Sequence, residues 1–421
     1  MARLAFTALF VRGDELLAIA REHVLVYSKS SGELRRTTVL DARVRAAALD
    51  AVGKHIILVD DNKKLRVLAF DTLDVLSTRV VAKKSDIAVV TPDGQHILLA
   101  DKFGDILSYV LHSFSIFPLH PSSDAPAPPD NEPTQGELIL GHVSVLTAFL
   151  LSSDAQYLIS GDRDEHIRVS RFPRGFLIHT FCLGSTKFVT ALHIPPSAPE
   201  VLISGGGEDV LRVWRWYDGA LVRQVDIGEA VRPRISIRPP VLKPHAPPAK
   251  KRRTSSEAVE GEDEEEVVLA VSRIESFGST IVFSVLGATG LFYFAWNPDS
   301  APDVPMTVRV LELESPVIDF VRDGDVIWIS LDAQPPAVSF ASATWSEDQD
   351  ALVLAPVPTL SSIPEGEADN DLYLPLALLP KHPDDEGWDA LEAGDPTSDK
   401  QRGRRKVKEQ LKALQGTPEA N

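Results

Sequence analysis

The sequence predicts an all-β fold, a seven-bladed β-propeller with disordered insertions and a short basic C-terminal helix. Three observations predict it: a strand–turn–strand unit recurring about every 40 residues, no long helical periodicity ahead of the C-terminal segment, and 25 glycines in 421 residues. The unit is clearest in ISGDRDEHIRVS, Ile159 to Ser170. An apolar pair precedes a polar break, and alternating apolar residues follow it. ISGGGEDVLRVW (Ile203 to Trp214), ILVDDNKKLRVL (Ile57 to Leu68) and LLADKFGDILSY (Leu98 to Tyr109) align with it, and Leu17 to Tyr27 is a shorter version. The units stand 41, 41, 61 and 44 residues apart. The long gap contains PSSDAPAPPDNEPTQGE, residues 121–137, whose prolines disfavour a strand, and removing it restores the period. Two less regular units follow, 267–294 and 308–345, the second holding TVRVLEL, VIDFV, VIWISL and AVSFASATW. About seven blades result, so residues 1–345 are read as the propeller.

The remaining segments differ in composition. Residues 240–266 lack apolar content and read as a disordered excursion within one blade. Residues 346–400 are acidic and Pro-rich, with an apolar island at 372–380 expected to dock on the propeller. Residues 401–421 form a basic tail. The net charge of −17 is concentrated outside the blades: residues 254–266 hold seven acids and no base, and residues 346–400 hold fourteen acids against two bases. The propeller body is therefore close to neutral.

The hydrogen-bonding residues of WD repeats are partly present. Gly141-His142 opens one repeat, and Ser160 and Asp164 stand where a strand serine and a turn aspartate would bond that histidine. Ser170 occupies the usual Trp place, whereas the next repeat keeps Ser204 and Trp214 but no Gly-His. His142, Ser160, Asp162, Asp164 and Trp214 are assigned structural roles, because buried polar groups are normally paired with one another.

Signs of catalysis are few. Gly205-Gly206-Gly207 reads as a turn between strands, not a phosphate-cradling loop before a helix. His142, His166, His179 and His193 lack metal-ligand spacing, so no metal is expected. The lone Cys182 forms no internal disulfide and fits a reducing compartment. No run of 18 apolar residues marks a membrane span.

Two basic segments stand out. Lys250, Lys251, Arg252 and Arg253 follow a proline-rich stretch and read as a nuclear-import signal, which points to the nucleus with cytoplasm as an additional site. In RGRRKVKEQLKALQ, helical geometry gathers Arg404, Arg405, Lys408 and Lys412 on one arc, with Val407, Leu411 and Leu414 beside it. With Lys406, these cations form a candidate RNA-phosphate surface.

One stretch is more specific. In residues 160–196, the run Asp162-Arg163-Asp164-Glu165 is followed by Ile167-Arg168-Val169-Ser170, then by Ile178, Phe181-Cys182-Leu183-Gly184 and Phe188-Val189. This resembles the WD-repeat non-catalytic subunit of the eukaryotic tRNA (guanine-N7)-methyltransferase. The degenerate blades, Pro-rich gap, sixth-blade insertion and basic C-terminal segment agree in layout. The resemblance implies a Rossmann-type catalytic partner that binds S-adenosylmethionine and methylates a guanine in the tRNA variable loop. The propeller would carry no cofactor; it would stabilise the partner in a heterodimer and place it on tRNA. It also implies that Arg168 forms a salt bridge to that partner, with Arg163, Glu165, His166 and Lys187 around it. His166 departs from a usual lysine, Ser185 from a usual histidine, and Lys187 stands where an acid often sits. A general WD-repeat adaptor, such as a ubiquitin-ligase substrate receptor, is the alternative. It would account neither for the stretch 162–189 nor for the basic C-terminal helix.

Overall fold

The computed structural model of the protein describes residues 2–111, 136–237, 239, 267–297, 305–367, 369 and 371–381. Seven four-stranded antiparallel sheets follow one another along the chain, each with its strands in sequence order. Blade one runs from Ala8–Arg12 to Leu34–Val39, blade two from Val44–Leu49 to Val75–Val80, and blade three from Ser85–Val90 to Glu137–Gly141. Blade four runs from Leu146–Leu151 to Ile178–Cys182 and blade five from Val189–His193 to Ala220–Asp226. Blade six runs from Val271–Phe277 to Arg309–Glu312, and blade seven from Val317–Asp323 to Ala351–Ala355. The seven-bladed expectation is borne out.

Burial explains the strand patterns. The second strand of a blade is covered on both faces by neighbouring blades, so Tyr157–Asp162 and Val201–Gly206 are buried at every position. The fourth strand lies outermost, and Ala220–Asp226 is mixed. Glycine permits the tightest approach: a Cβ on Gly206 would lie 1.8 Å from the Phe188 carbonyl oxygen. Gly205 and Gly206 are strand residues, not the turn expected from sequence: the Phe188 backbone fills the side-chain position of Gly206, and the Leu211 and Val271 side chains fill that of Gly205.

Three boundaries also differ from expectation. Arg309–Glu312 closes blade six, pairing with Gly290–Ala295, and does not open blade seven. Blade seven gains its fourth strand from Ala351–Ala355, so the propeller continues past residue 345. The polar turn SEDQD cuts that strand, ALVLA, off from the one before it, and its short apolar run stands at the head of an acidic, Pro-rich stretch. The segment 240–266 falls between blades five and six, because Ala220–Asp226 already completes blade five. The Pro-rich stretch 121–137 falls between the third and fourth strands of blade three, and its last residue, Glu137, begins the fourth.

Among the described residues no blade is shared between the two ends of the chain, and other contacts close the ring. Ala2–Arg3 pairs with Glu365–Gly366. The Leu9 amide donates to Asp319 Oδ2 at 2.8 Å, Ser330 Oγ donates to the Phe6 carbonyl at 2.7 Å, and Lys29 pairs with Asp323. Asp319 also accepts from Arg273 at 3.0 Å, so one carboxylate joins blades one, six and seven. Asp319 is the buried partner, and replacing Arg273 alone would leave its carboxylate without a cation, at a cost of about 3 kcal/mol, whereas Arg273 is partly exposed and also pairs with Glu275.

Beyond blade seven the chain crosses one face of the ring. That face carries the turns between second and third strands and the links between blades. Arg21 donates to the Glu367 carbonyl, and Arg43 pairs with Asp369 and Asp371. Tyr373 donates to Asp332 at 2.8 Å. A short helix, Leu374–Leu378, buries Leu376 in a cluster with Phe188, Ala270 and Leu379. This crossing accounts for the apolar island at 372–380: it packs against loops of blades five and six.

Candidate functional site

The hydrogen bonds of blade four organise the candidate site. His142 Nδ1 lies 2.9 Å from Asp162 Oδ2, and Nε2 lies 2.8 Å from Ser160 Oγ. The turn aspartate is therefore Asp162, which corrects the assignment of that bond to Asp164. Asp162 is buried at the strand end facing His142, whereas Asp164 is farther round the turn and meets Lys381 at 3.6 Å. Burial raises the Asp162 carboxyl, but the bonds from His142 and the His166 amide outweigh it and hold the group below its ordinary range. In blade five Trp214 Nε1 donates to Ser204 Oγ at 2.9 Å.

Ser170 in the Trp place changes the chemistry of blade four. It is buried, and its Oγ accepts from Arg168 Nε at 2.8 Å. Arg168 Nη1 donates to the Gly141 carbonyl at 3.1 Å and Nη2 to the Gly175 carbonyl at 2.6 Å. All three acceptors are neutral. The equivalent arginines differ: Arg66 pairs with Asp60 and Asp41, and Arg212 with Glu208. Asp164, at the repeat position of Glu208, is turned to Lys381 instead. Among the described residues, Arg168 has no carboxylate partner, and burial lowers its pKa with no anion opposing the shift. It is a half-buried, oriented cation that an incoming carboxylate could neutralise.

Apolar residues adjoin it. Phe181 is the register partner of Arg168, and Gly175 leads into Phe176 and Leu177. Phe176 is 71% exposed and Leu183 63%, and Leu177, Ile178 and Phe181 are also exposed. Apolar groups gathered on a blade's outer strand mark an interaction face. Sequence reasoning used Ile178 and Phe181 only as marks of resemblance. The available signal was FLIHTFCL, apolar at both parities, where an outer strand with one wet face should alternate.

The other partner-contact candidates separate. The Arg163 guanidinium is buried and donates to the Leu379 and Pro380 carbonyls, each at 3.1 Å. Glu165, at φ +77°, pairs with Lys381 at 2.8 Å. These two hold the chain's own C-terminal crossing. His166 is exposed, with Nδ1 3.5 Å from Asp162. Lys187 is exposed and lines a cavity of about 250 Å³ with Thr186, Phe188, Leu379 and Pro380. Residues 250–253 and the cations Arg404, Arg405, Lys406, Lys408 and Lys412 lie outside the described residues. Among the described residues, no group of three His, Cys, Asp or Glu side chains is placed to hold a metal ion, and no helix is long and apolar enough to cross a membrane.

A family model described as the tRNA methyltransferase TRM82 WD40 domain matches residues 27–135 and 119–354. A Xenopus laevis relative is 32% identical over 292 residues, covering 68% of this chain and 62% of its own length. A Danio rerio relative is 36% identical over 203 residues, covering 48% of this chain and 45% of its own length. An Aspergillus oryzae relative is 36% identical over 220 residues, covering 42% and 45%. All three are named tRNA (guanine-N(7)-)-methyltransferase non-catalytic subunits. The match thus spans less than half the length of the Danio and Aspergillus relatives. Among solved structures, a chain of the mitotic checkpoint complex superposes with TM-score 0.54 at 13% identity, covering 75% of this chain and 81% of that one. The computationally designed Ika8 protein gives 0.52 at 13% identity, covering 83% and 86%. These two likenesses concern the fold alone.

Proposed function

The chain belongs to the tRNA methyltransferase TRM82 WD40 domain family, and from that premise we propose that it is the non-catalytic subunit of a heterodimeric tRNA (guanine-N7)-methyltransferase. It docks the catalytic subunit on the outer edge of blade four, stabilises it and places it on tRNA for N7-methylguanosine formation in the variable loop. S-adenosylmethionine binds the partner. The observation that carries this reading is Arg168: unlike Arg66 and Arg212, it lacks a carboxylate among the described residues and sits beside exposed Phe176, Ile178 and Phe181. Arginine and aromatic side chains are the residues enriched at interface centres.

The proposal extends to two segments. Arg404, Arg405, Lys406, Lys408 and Lys412 meet tRNA phosphates, and Lys250 to Arg253 direct the complex to the nucleus. The test is co-expression with the catalytic subunit of the same organism. A 1:1 complex should purify and methylate tRNA, while the chain alone should bind no S-adenosylmethionine. Tight cofactor binding by the isolated chain, or no complex at micromolar concentrations, refutes the proposal.

A further inference from the structure

Two carboxylates of blade four stand at repeat positions from which other blades neutralise the equivalent arginine, and neither is paired with Arg168. Asp162 is equivalent to Asp60, which pairs with Arg66 in blade two. In blade four that carboxylate is taken by His142 Nδ1 and by the His166 amide, each at 2.9 Å. Asp164 is equivalent to Glu208, which pairs with Arg212 in blade five. Two things differ at Asp164. Its side chain is one methylene shorter than a glutamate, and Lys381 stands beside it, 3.6 Å from Asp164 Oδ1 and 2.8 Å from Glu165 Oε1. The guanidinium of Arg168 meets neutral acceptors instead. Ser170 Oγ accepts from its Nε at 2.8 Å, whereas Trp214 takes the serine's place in blade five and the Arg212 Nε is buried without a hydrogen-bond partner. Three of the five N–H groups of Arg168 are used in this way, which leaves one on each Nη nitrogen.

We infer that Asp164 and Lys381 are positioning residues that keep blade four's own carboxylate off Arg168, so that the cation stays open to a carboxylate of the catalytic subunit. The inference rests on the reading that Arg168 docks that subunit. The physical reason is competition. Asp164 and Arg168 have the same sequence separation as Glu208 and Arg212. A carboxylate reaching across the hairpin would neutralise the guanidinium within the chain, and docking would first have to break that pair. Asp164 is 41% exposed, so water screens such a pair. The competitor therefore lowers affinity by about two- to fivefold and does not abolish binding. The crossing brings Lys381 to this turn and is itself fixed elsewhere: Arg163 holds the Leu379 and Pro380 carbonyls, Arg43 holds Asp369 and Asp371, and Tyr373 donates to Asp332. Removing the Lys381 ammonium leaves those anchors in place.

The experiment is a double-mutant cycle on the full chain, titrated with the labelled catalytic subunit, with a melting curve for each variant. Asp164→Glu with Lys381→Ala rebuilds the arrangement of blade five and should raise Kd about two- to fivefold without lowering the melting temperature. In an Arg168→Ala background the same pair of changes should leave Kd unaltered, because no cation remains to be captured. Asp164→Asn with Lys381→Ala removes the lysine and the competing charge together, and should bind as wild type does. Lys381→Arg should also match wild type. Wild-type affinity in the rebuilt chain overturns the inference. So does an equal loss in the Arg168→Ala background, or a loss as large with Asp164→Asn, since the lysine would then act through the crossing and not through the carboxylate. In each of these cases a weakened complex with Arg168→Ala alone leaves the docking reading standing. If Arg168→Ala leaves Kd unchanged, the docking reading and the inference fall together.

Discussion

Arg168→Glu tests the docking face most directly. In the free chain Arg168 gives its hydrogen bonds to Ser170 Oγ and to the Gly141 and Gly175 carbonyls. A glutamate can donate none of them and sets a carboxylate near two carbonyl oxygens. The half-exposed site lets water solvate the displaced groups, so the fold should lose about 1–2 kcal/mol, a few degrees in melting temperature for a domain of this size. Complex formation should suffer more. A carboxylate about 4 Å from the guanidinium is worth about 4 kcal/mol at an effective dielectric of 20, reduced to about 2 by the exposure of the site. Charge reversal turns that attraction into repulsion, for a total of about 2–4 kcal/mol, or roughly 30- to 1,000-fold in Kd. The assay is titration of the labelled catalytic subunit, with melting curves for each variant. Arg212→Glu is the control: it faces Glu208 on its own loop, so it should lower stability and leave affinity unchanged. An Arg168→Glu chain that is folded and binds within about threefold of wild type removes Arg168 from the interface.

Other substitutions read the fold and the outlying segments. Asp162→Ala should cost about 2–4 kcal/mol by unfolding in urea, since it leaves buried His142 without its Nδ1 partner; Asp164→Ala should cost under about 1 kcal/mol because that side chain is half-exposed, and equal losses would contradict the corrected assignment. His193 is half-buried with Nε2 2.6 Å from Ser276 Oγ, and desolvation, aided by Arg273 and opposed by Glu275, holds its pKa below the ordinary value. The unfolded chain therefore binds the proton first, and the His193 contribution is present above about pH 6.5 and lost as pH falls below it. His193→Gln should flatten the melting-temperature profile between pH 7 and 5, and an unchanged slope would count against this. Deleting residues 245–266, between blades five and six, should leave the melting temperature within about 2 °C and reduce nuclear accumulation through loss of Lys250 to Arg253. Unchanged localisation would exclude the import role, and a large melting shift would mean that the segment packs.

What the sequence determined by itself was local and periodic. Strand–turn–strand units at 41 to 44 residues sufficed for the blades, because a four-stranded sheet of that length cannot bury both faces without a neighbour like itself. The stretch 160–196 was enough to suggest the family, and Arg168 came with it. What only the tertiary structure decided was which groups meet across blades. Arg66, Arg168 and Arg212 look alike in their repeats, and only distances show that two are neutralised while Arg168 has no carboxylate among the described residues. Arg163 and Glu165 read as surface charges until the crossing at 365–381 is placed on them. Asp162 and Asp164 differ by two residues in one turn, and the direction of the strand end alone selects the one that reaches His142. Periodicity encodes which face of a strand is covered, whereas contacts between residues more than 200 positions apart depend on how seven separately encoded sheets close into a ring.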